Sequence, residues 1–225
     1  MPTIVISSPK GGAGKSTAAV ILGTELAAMG IEVTMLDCDF VTGRETALEV
    51  WAGAGDTPAG ITLKHRVGEA EVIREIKAGE GDGKVVIVDL GGAASRLATR
   101  AISQADLVLV PMRPTSLDVK IGAAAIQMVA EEEETLGRSI PFVVALSATK
   151  AIKSKAQRGL TESLIAEGVE IIDPPLMERG AFAAFFEFGG DLRSMPPQGS
   201  HDAAVENARQ FAEAVLQRLA READE

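Results

Sequence analysis

A glycine-rich stretch near the start of the chain has the residue types of a phosphate-binding loop. Residues 9–17 read PKGGAGKST and follow the apolar run 4–6 after two serines. Backbone N–H groups of such a turn converge on an anion, and the helix that follows adds its partial positive charge. Lys15 can reach terminal phosphates, and the Ser16 hydroxyl can ligate Mg²⁺. The predicted phosphate-binding residues are Gly11, Gly12, Ala13, Gly14, Lys15, Ser16 and Thr17.

The loop carries a second lysine, Lys10. It fits only part of the common G-x-x-x-x-G-K-[ST] pattern, because Pro9 replaces the first glycine. Lys15 alone is enough for phosphate binding, and Lys10 has too little room to serve the same phosphate. We predict that Lys10 acts in catalysis on a nucleotide held by a second subunit, as an arginine finger does. The alternative is a solvent-exposed lysine on a loop.

Three acids follow apolar strands at the positions where open α/β sheets bind ligands. Asp37 and Asp39 lie at the end of one strand, and Asp89 closes the run Val85–Val88. We predict that Ser16, Asp37 and Asp89 form the metal site, with the carboxylates holding waters of a Mg²⁺ ion. Asp39 is predicted to orient the attacking water, and Lys10, Lys15 and Asp39 are the candidate catalytic residues. The alternative is that these acids cap the helices that follow.

Strand and helix patterns alternate along the chain. The strands lack strict polar alternation, which indicates burial on both faces. The sequence therefore predicts a single α/β domain over residues 1–225, with a mostly parallel twisted sheet flanked by helices on both faces. The less regular predictions are a helix at 42–51 and short strands at 61–67 and 169–172.

Composition narrows the class of protein. Of the 225 residues, 46% are hydrophobic and 24% are charged, which is ordinary for a globular protein in water. The net charge of −10 argues against a uniformly basic nucleic-acid coat but leaves room for a local basic patch. The single cysteine, Cys38, fits a reducing compartment, and no basic leader precedes the first strand. We predict a cytoplasmic protein.

These motifs together resemble the ParA/MinD family of deviant Walker ATPases. The resemblance rests on KGGAGKST at 10–17, DCD at 37–39, VVIVD at 85–89 and ADLVLVPMRPTSLDV at 105–119, and it continues to the last helix. It implies a P-loop ATPase with ATP and Mg²⁺ as cofactors, a homodimer formed on ATP binding, and slow hydrolysis stimulated by a partner. It further implies that the adenine is bordered by Pro111, Met112 and Pro114.

The resemblance is strongest to short partition proteins, which implies DNA segregation of a plasmid or chromosome. Such proteins work with a centromere-binding, ParB-like partner and associate with the nucleoid through non-specific DNA when loaded with ATP. The one dense basic cluster of the sequence is the predicted DNA-binding site: Lys150, Lys153, Lys155 and Arg158. The alternative is that this cluster binds no DNA and is simply the solvent-exposed, basic start of a helix on an acidic protein.

Two other functions remain open from the sequence. A MinD-like or conjugation-linked ATPase that positions another cargo also resembles this chain. A membrane-bound version is disfavoured, because residues 220–225 read AREADE and an anionic bilayer would repel them. We therefore predict no membrane partner. A metabolic ATP-dependent enzyme of the same fold is the remaining alternative.

Overall fold

The computed structural model describes residues 2–40, 44–92, 95–152 and 154–223. Its described residues form one six-stranded sheet whose strands are all paired in parallel. The strands are β1 (Thr3–Ile6), β2 (Glu32–Cys38), β3 (Ile61–Lys64), β4 (Lys84–Leu90), β5 (Leu107–Met112) and β6 (Phe142–Leu146). Their spatial order is β3-β2-β4-β1-β5-β6, so β1 and β4 lie at the centre. The predicted α/β fold with a parallel sheet is confirmed.

Helices cover both faces of this sheet. They are α1 (Lys15–Ala28), α2 (Ala47–Ala54), α3 (Val72–Gly79), α4 (Arg96–Ile102), α5 (Ser116–Leu136), α6 (Lys155–Ala166), α7 (Gly180–Phe188) and α8 (His201–Ala223). One apolar cluster joins the sheet to α1, α2, α7 and α8, and a second joins its other face to α3, α4, α5 and α6. The strands are apolar on both faces because each face is buried under helices.

Helix α1 explains how the glycine-rich loop is held. It lies between the sheet and the outer helices, so that residues from Ala18 to Leu26 are buried on nearly every side. A helix buried in this way cannot shift without opening the core. Its first residue, Lys15, is thereby fixed at the carboxyl end of β1.

The helix predicted at 42–51 begins later, at Ala47. The Thr46 side chain accepts a hydrogen bond from the Glu49 N–H, and Glu49 accepts one from the Thr46 N–H. This reciprocal pair is a capping box, which defines Thr46 as the N-cap and keeps residues 44–46 outside the helix. Residues 42 and 43 of the prediction lie outside the described residues.

The strand predicted at 169–172 is wrong. The segment meets β6 at a single bridge between Val144 and Ile171. The sequence continues with Pro174 and Pro175, which have no N–H to donate and interrupt the ladder, so the chain bonds to β6 again only where the Leu176 N–H donates to the Leu146 carbonyl oxygen over 2.9 Å. The sheet therefore ends at β6.

Candidate functional site

The glycine-rich loop leaves β1 and forms an open cradle at the start of α1. Gly12 has φ of 76° and Gly14 has φ of 96°, left-handed conformations that a side chain disfavours. Gly14 is the N-cap of α1, and no described side chain caps that helix end. Its first N–H groups are therefore available to an anion.

A second segment of the chain supports this loop from behind. The Ser147 hydroxyl donates to the Ala13 carbonyl oxygen over 2.8 Å, and a Cβ on Gly14 would lie 3.3 Å from the Ser147 side chain. The Lys15 side chain is buried, with 5% exposed, and its Nζ donates to the Lys10 carbonyl oxygen over 3.2 Å. The lysine amine thus lies across the mouth of its own loop, where a phosphate would replace the carbonyl as its partner.

Asp89 lies against the first turn of α1. It is buried and forms a side-chain hydrogen bond with Ser16, while its Oδ1 has no hydrogen-bond partner among the described residues. Burial raises the pKa of Asp89 to about 7, although Ser16 and Lys15 both act in the opposite direction. A buried carboxylate oxygen without a partner is costly, so this atom favours a cation or a metal-bound water.

Asp37 lies beside Asp89, because the two residues are Cα partners on neighbouring strands. It is fully buried, and its Oδ2 accepts a hydrogen bond of 2.5 Å from the Thr46 hydroxyl. Its Oδ1 accepts only a long one, of 3.3 Å, from the Asp39 N–H. Burial raises the pKa of Asp37, and the hydrogen bond from Thr46 partly offsets that rise.

The donor set fits a Mg²⁺ ion that is shared with a nucleotide. Ser16, Asp37 and Asp89 offer one hydroxyl and two carboxylates at the foot of the phosphate cradle. Within the described ranges, no cluster of three or more His, Cys, Asp or Glu side chains forms a metal cage. A Mg²⁺ ion here would take phosphate oxygens and waters as its remaining ligands, as this ion usually does.

Asp39 is the partly exposed acid of the group. Its Oδ1 lies 3.0 Å from where a Cβ of Gly91 would be, and a Cβ of Gly92 would lie 3.1 Å from the Gly11 nitrogen. The segment after β4 therefore passes between Asp39 and the phosphate loop as bare backbone. That Asp39 positions a water at the γ-phosphate stays a prediction.

Lys10 points away from its own phosphate cradle in this single chain. Its Nζ forms an ion pair of 2.5 Å with Asp118 in the first turn of α5. Asp118 is buried and also accepts a hydrogen bond from the Thr115 hydroxyl, whereas about a third of the Lys10 side chain is exposed. Burial raises the pKa of Asp118, but the hydrogen bonds from Lys10 and Thr115 outweigh it and hold that pKa below its usual range.

A cavity of about 240 Å³ opens beside the phosphate cradle. Its walls include Ala148 after β6, the chain from Leu176 to Arg179, Phe182, and Arg113 after β5. Its position next to Gly12 and Thr17 makes it the candidate base and ribose pocket.

The structure places the three predicted adenine neighbours outside this cavity. Pro111 and Met112 belong to β5 and are buried, and Met112 packs against Gly122 of α5. Pro114 lines a different surface groove with Lys150 and Ile152. Arg113 is the residue of this segment that reaches the cavity.

The predicted DNA-binding residues lie at the start of α6. Lys150, Lys155 and Arg158 are exposed, and none of them forms an ion pair within the described chain. Lys153 lies outside the described residues. The exposed Ile152 stands among them, with 89% of its surface open.

Several residues of the site carried no predicted role. Thr46 has a sequence signal, because T-x-x-E before an apolar run is typical of a helix start. Gly91 and Gly92, directly after the Asp89 strand, also indicate close backbone approach. Asp118 and Ser147 have no local signal for their roles, since their partners lie more than 100 residues away in sequence.

Comparison with known proteins agrees with this geometry. The chain matches the VirC1 protein family over residues 1–220. It is 53% identical to Protein ParA of Rhizobium radiobacter, over 97% of this chain and 98% of that protein.

Solved structures share the fold. The ATP complex of a Cyanothece McdA variant has a TM-score of 0.72 at 19% identity, with 96% of each chain covered. A putative plasmid partition protein (BB_S35) from Borrelia burgdorferi B31 bound to AMPPNP has a TM-score of 0.68 at 16% identity, with 96% of this chain and 99% of that chain covered.

The family follows from the sequence match, and the fold and phosphate cradle agree with it. The chain belongs to the VirC1/ParA family of deviant Walker P-loop ATPases.

Proposed function

We propose that this protein is an ATP-dependent partition ATPase, a nucleotide-switched dimer that positions plasmid or chromosome DNA. The observation that carries the proposal is the start of α1 beside Lys15 and the Oδ1 atom of Asp89, neither of which has a capping or hydrogen-bonding side chain among the described residues. That arrangement offers donors to phosphate and an acceptor to a cation at one place. The 53% identity to a ParA protein supports the partition function.

The side chains take distinct parts in ATP hydrolysis under this proposal. The loop N–H groups and Lys15 hold the β- and γ-phosphates, and Ser16, Asp37 and Asp89 hold Mg²⁺ directly or through its waters. Bound Mg²⁺ supplies charge neutralisation of the phosphates. Asp39 orients the attacking water, and phosphoryl transfer depends mainly on such positioning.

Lys10 completes the site from a second copy of the chain. In the single chain its amine is engaged by Asp118, so it contributes no charge to its own cradle. In the dimer we infer that it moves to the nucleotide of the facing protomer. The developing phosphate charge is then met by two lysines, which restricts fast hydrolysis to the assembled state.

Under this proposal, a centromere-binding, ParB-like partner stimulates ATP hydrolysis. The ATP-loaded dimer binds non-specific DNA in the cytoplasm. Three exposed cations, Lys150, Lys155 and Arg158, support the DNA interaction. Duplex DNA of random sequence should bind the MgATP-loaded protein at low salt and be released as salt rises. Binding that survives the double change Lys155→Glu, Arg158→Glu, or that ignores salt, would contradict this site.

A second candidate function is the positioning of another cargo. The match to the VirC1 family over nearly the whole chain keeps it open, because that family is not named for partition. In the part of the chain that the structure describes, no helix could cross a bilayer. Stimulation of ATP hydrolysis by a centromere-binding protein encoded beside this gene would favour partition over other cargo.

The nucleotide proposal is tested by calorimetric binding of ATP and by phosphate release. Lys15→Ala should abolish ATP binding, because the buried amine is the only lysine that faces the cradle among the described residues. Asp39→Ala should retain binding and lower turnover by about 100-fold. Lys77→Ala, on the exposed side of α3, is the control and should leave both unchanged. ATP binding by Lys15→Ala equal to that of the wild type would refute the site.

A further inference from the structure

Asp37 has an unusual environment for a fully buried acid. It stands directly beside Asp89, so two carboxylates share one low-dielectric region at the ends of β2 and β4. No described cation pairs with it, and its one short hydrogen bond comes from the Thr46 hydroxyl. The orientation of this carboxylate therefore depends on Thr46.

The Thr46 hydroxyl has one proton, and the structure shows where it goes. Its oxygen accepts the Glu49 N–H over 3.0 Å, which leaves the hydroxyl proton for Asp37 Oδ2. The first of these bonds is the one that defines an N-cap, and the second is additional to it. Thr46 joins the start of α2 to the metal site, and it is itself buried, with only 6% of it exposed.

An ion pair on the surface holds Thr46 in place. Arg66 contacts both carboxylate oxygens of Glu49, through Nε over 2.6 Å and Nη2 over 3.0 Å. The same Glu49 carboxylate accepts the Thr46 N–H over 2.9 Å. A bidentate pair fixes the plane of the carboxylate, and so fixes the Thr46 backbone that it binds.

Arg66 is also tied to the strand that carries Asp37. Its Nη2 donates to the Arg44 carbonyl oxygen over 3.2 Å, and the next residue, Val67, donates its N–H to the Asp37 carbonyl oxygen over 2.8 Å. Arg66 has φ of 55°, a costly conformation for a residue with a Cβ. The turn after β3 thus presents Arg66 to Glu49 and Val67 to Asp37 at the same time.

From this geometry we propose that Thr46 is a positioning residue for the metal site, holding Asp37 through its hydroxyl, and that the Glu49–Arg66 ion pair holds Thr46. Because Thr46 occupies Oδ2, the weakly bonded Oδ1 is the oxygen that remains for a metal-bound water. Loss of the hydroxyl lets the carboxylate turn and weakens its hold on that water. The inference rests on the proposed nucleotide function of the same site.

The test is a Mg²⁺ titration of the full-length protein against a fixed concentration of fluorescent ATP. The readout is the Mg²⁺ concentration at half-saturation, which requires no turnover. Thr46→Val should raise it about tenfold, the usual effect of losing an outer partner of a metal site. Binding of fluorescent ATP in EDTA should be unchanged. Thr46→Ser keeps the hydroxyl and should stay within about twofold of wild type.

Two further variants separate positioning from helix stability. Ser154→Ala removes the other complete capping box, at the start of α6, and should lower the melting temperature without moving the Mg²⁺ midpoint. The Arg66 side chain contacts neither Asp37 nor the backbone of α2, so Arg66→Met removes the ion pair without a direct change at either. It should raise the Mg²⁺ concentration at half-saturation about two- to threefold. It also keeps the proposal testable if Thr46→Val does not fold.

The outcomes can be told apart. The proposed role of Thr46 is wrong if Thr46→Val has the Mg²⁺ midpoint of the wild type. It is also wrong if Ser154→Ala shifts that midpoint as much as Thr46→Val does. If Arg66→Met has the wild-type Mg²⁺ midpoint, the proposal that the Glu49–Arg66 ion pair holds Thr46 is wrong. Absence of any Mg²⁺-dependent ATP binding by the wild type would remove the proposed function itself, and this inference with it.

Discussion

Burial decides how the strand-end acids behave before a ligand arrives. Asp37 and Asp89 are adjacent and buried, and burial raises the pKa of both. Their charges repel, and Asp89 Oδ1 has no described hydrogen-bond partner. A cation would relieve both costs at once, so the site holds an unfavourable carboxylate pair that favours metal binding.

This arrangement predicts that Asp89→Asn stabilises the nucleotide-free protein at high pH. With its pKa raised from 3.8 to about 7, folded Asp89 keeps a proton between these values that the unfolded chain has lost. Stability conferred by the wild-type residue is thus complete below about pH 4 and lost as the pH rises through 7. Asp89→Asn should exceed the wild type in free energy of unfolding by about 1–3 kcal/mol at pH 8 and match it near pH 4.

Urea denaturation at the two pH values measures this difference. Asp82→Asn removes a carboxylate that is open to water, in the exposed turn before β4, and is the control for the substitution itself. A destabilised Asp89→Asn at pH 8 would mean that the carboxylate is stabilised by the fold rather than strained by it.

At the scale of elements, close approach of helix to sheet determines how tightly the site is held. Helix α3 ends at Gly79, where a Cβ would lie 2.9 Å from Val86 Cγ2 and 3.0 Å from Thr34 Cβ. Both neighbours are β-branched strand residues that cannot move aside, because their χ1 angles are restricted. β2 and β4, which carry Asp37 and Asp89, are therefore packed directly against this helix end.

Gly79→Ala should lower the free energy of unfolding by about 1–3 kcal/mol through overpacking. Gly159→Ala is the matched change in the middle of α6, where no atom lies within 4 Å of the added Cβ. It should raise the free energy of unfolding by about 0.5–1 kcal/mol, since alanine is the better helix former. Equal effects of the two variants in urea denaturation would contradict this packing.

For the whole molecule, the position of Lys10 bears on the proposed link between nucleotide binding and assembly. The Lys10–Asp118 ion pair joins the phosphate loop to α5 within one chain, and about a third of the lysine side chain is open to solvent. The exposed lysine end of the pair is free to exchange Asp118 for a phosphate of a second protomer, while the buried Asp118 keeps the hydrogen bond from the Thr115 hydroxyl.

Lys10→Ala should remain monomeric with MgATP under conditions in which the wild type dimerises, as measured by light scattering during gel filtration. The reason is that the variant cannot supply the positive charge that the facing nucleotide needs. Lys120→Ala, an exposed lysine on α5, is the control and should dimerise. A dimeric Lys10→Ala with wild-type turnover would exclude action across an interface.

Local patterns were enough to predict the fold and the phosphate cradle. Residues 10–17 are contiguous, and the acids at 37, 39 and 89 are each marked by the apolar strand before them. Because the carboxyl ends of parallel strands meet at one edge, their proximity followed once the strands were recognised. The capping box at Thr46 is equally visible in the sequence, and it marks a later start for α2 than the predicted helix at 42–51.

Contacts between distant parts of the chain needed the tertiary structure. The sequence by itself determined which residues form the candidate phosphate cradle and which strands bring acids to it, since both depend on short-range order. Only the packed chain decided that Lys10 meets Asp118, that Thr46 holds Asp37, and that Arg113 rather than Pro111 or Met112 reaches the cavity. These contacts depend on the order of the strands in the sheet and on the face of the sheet to which each side chain points. No local sequence pattern encodes either of them.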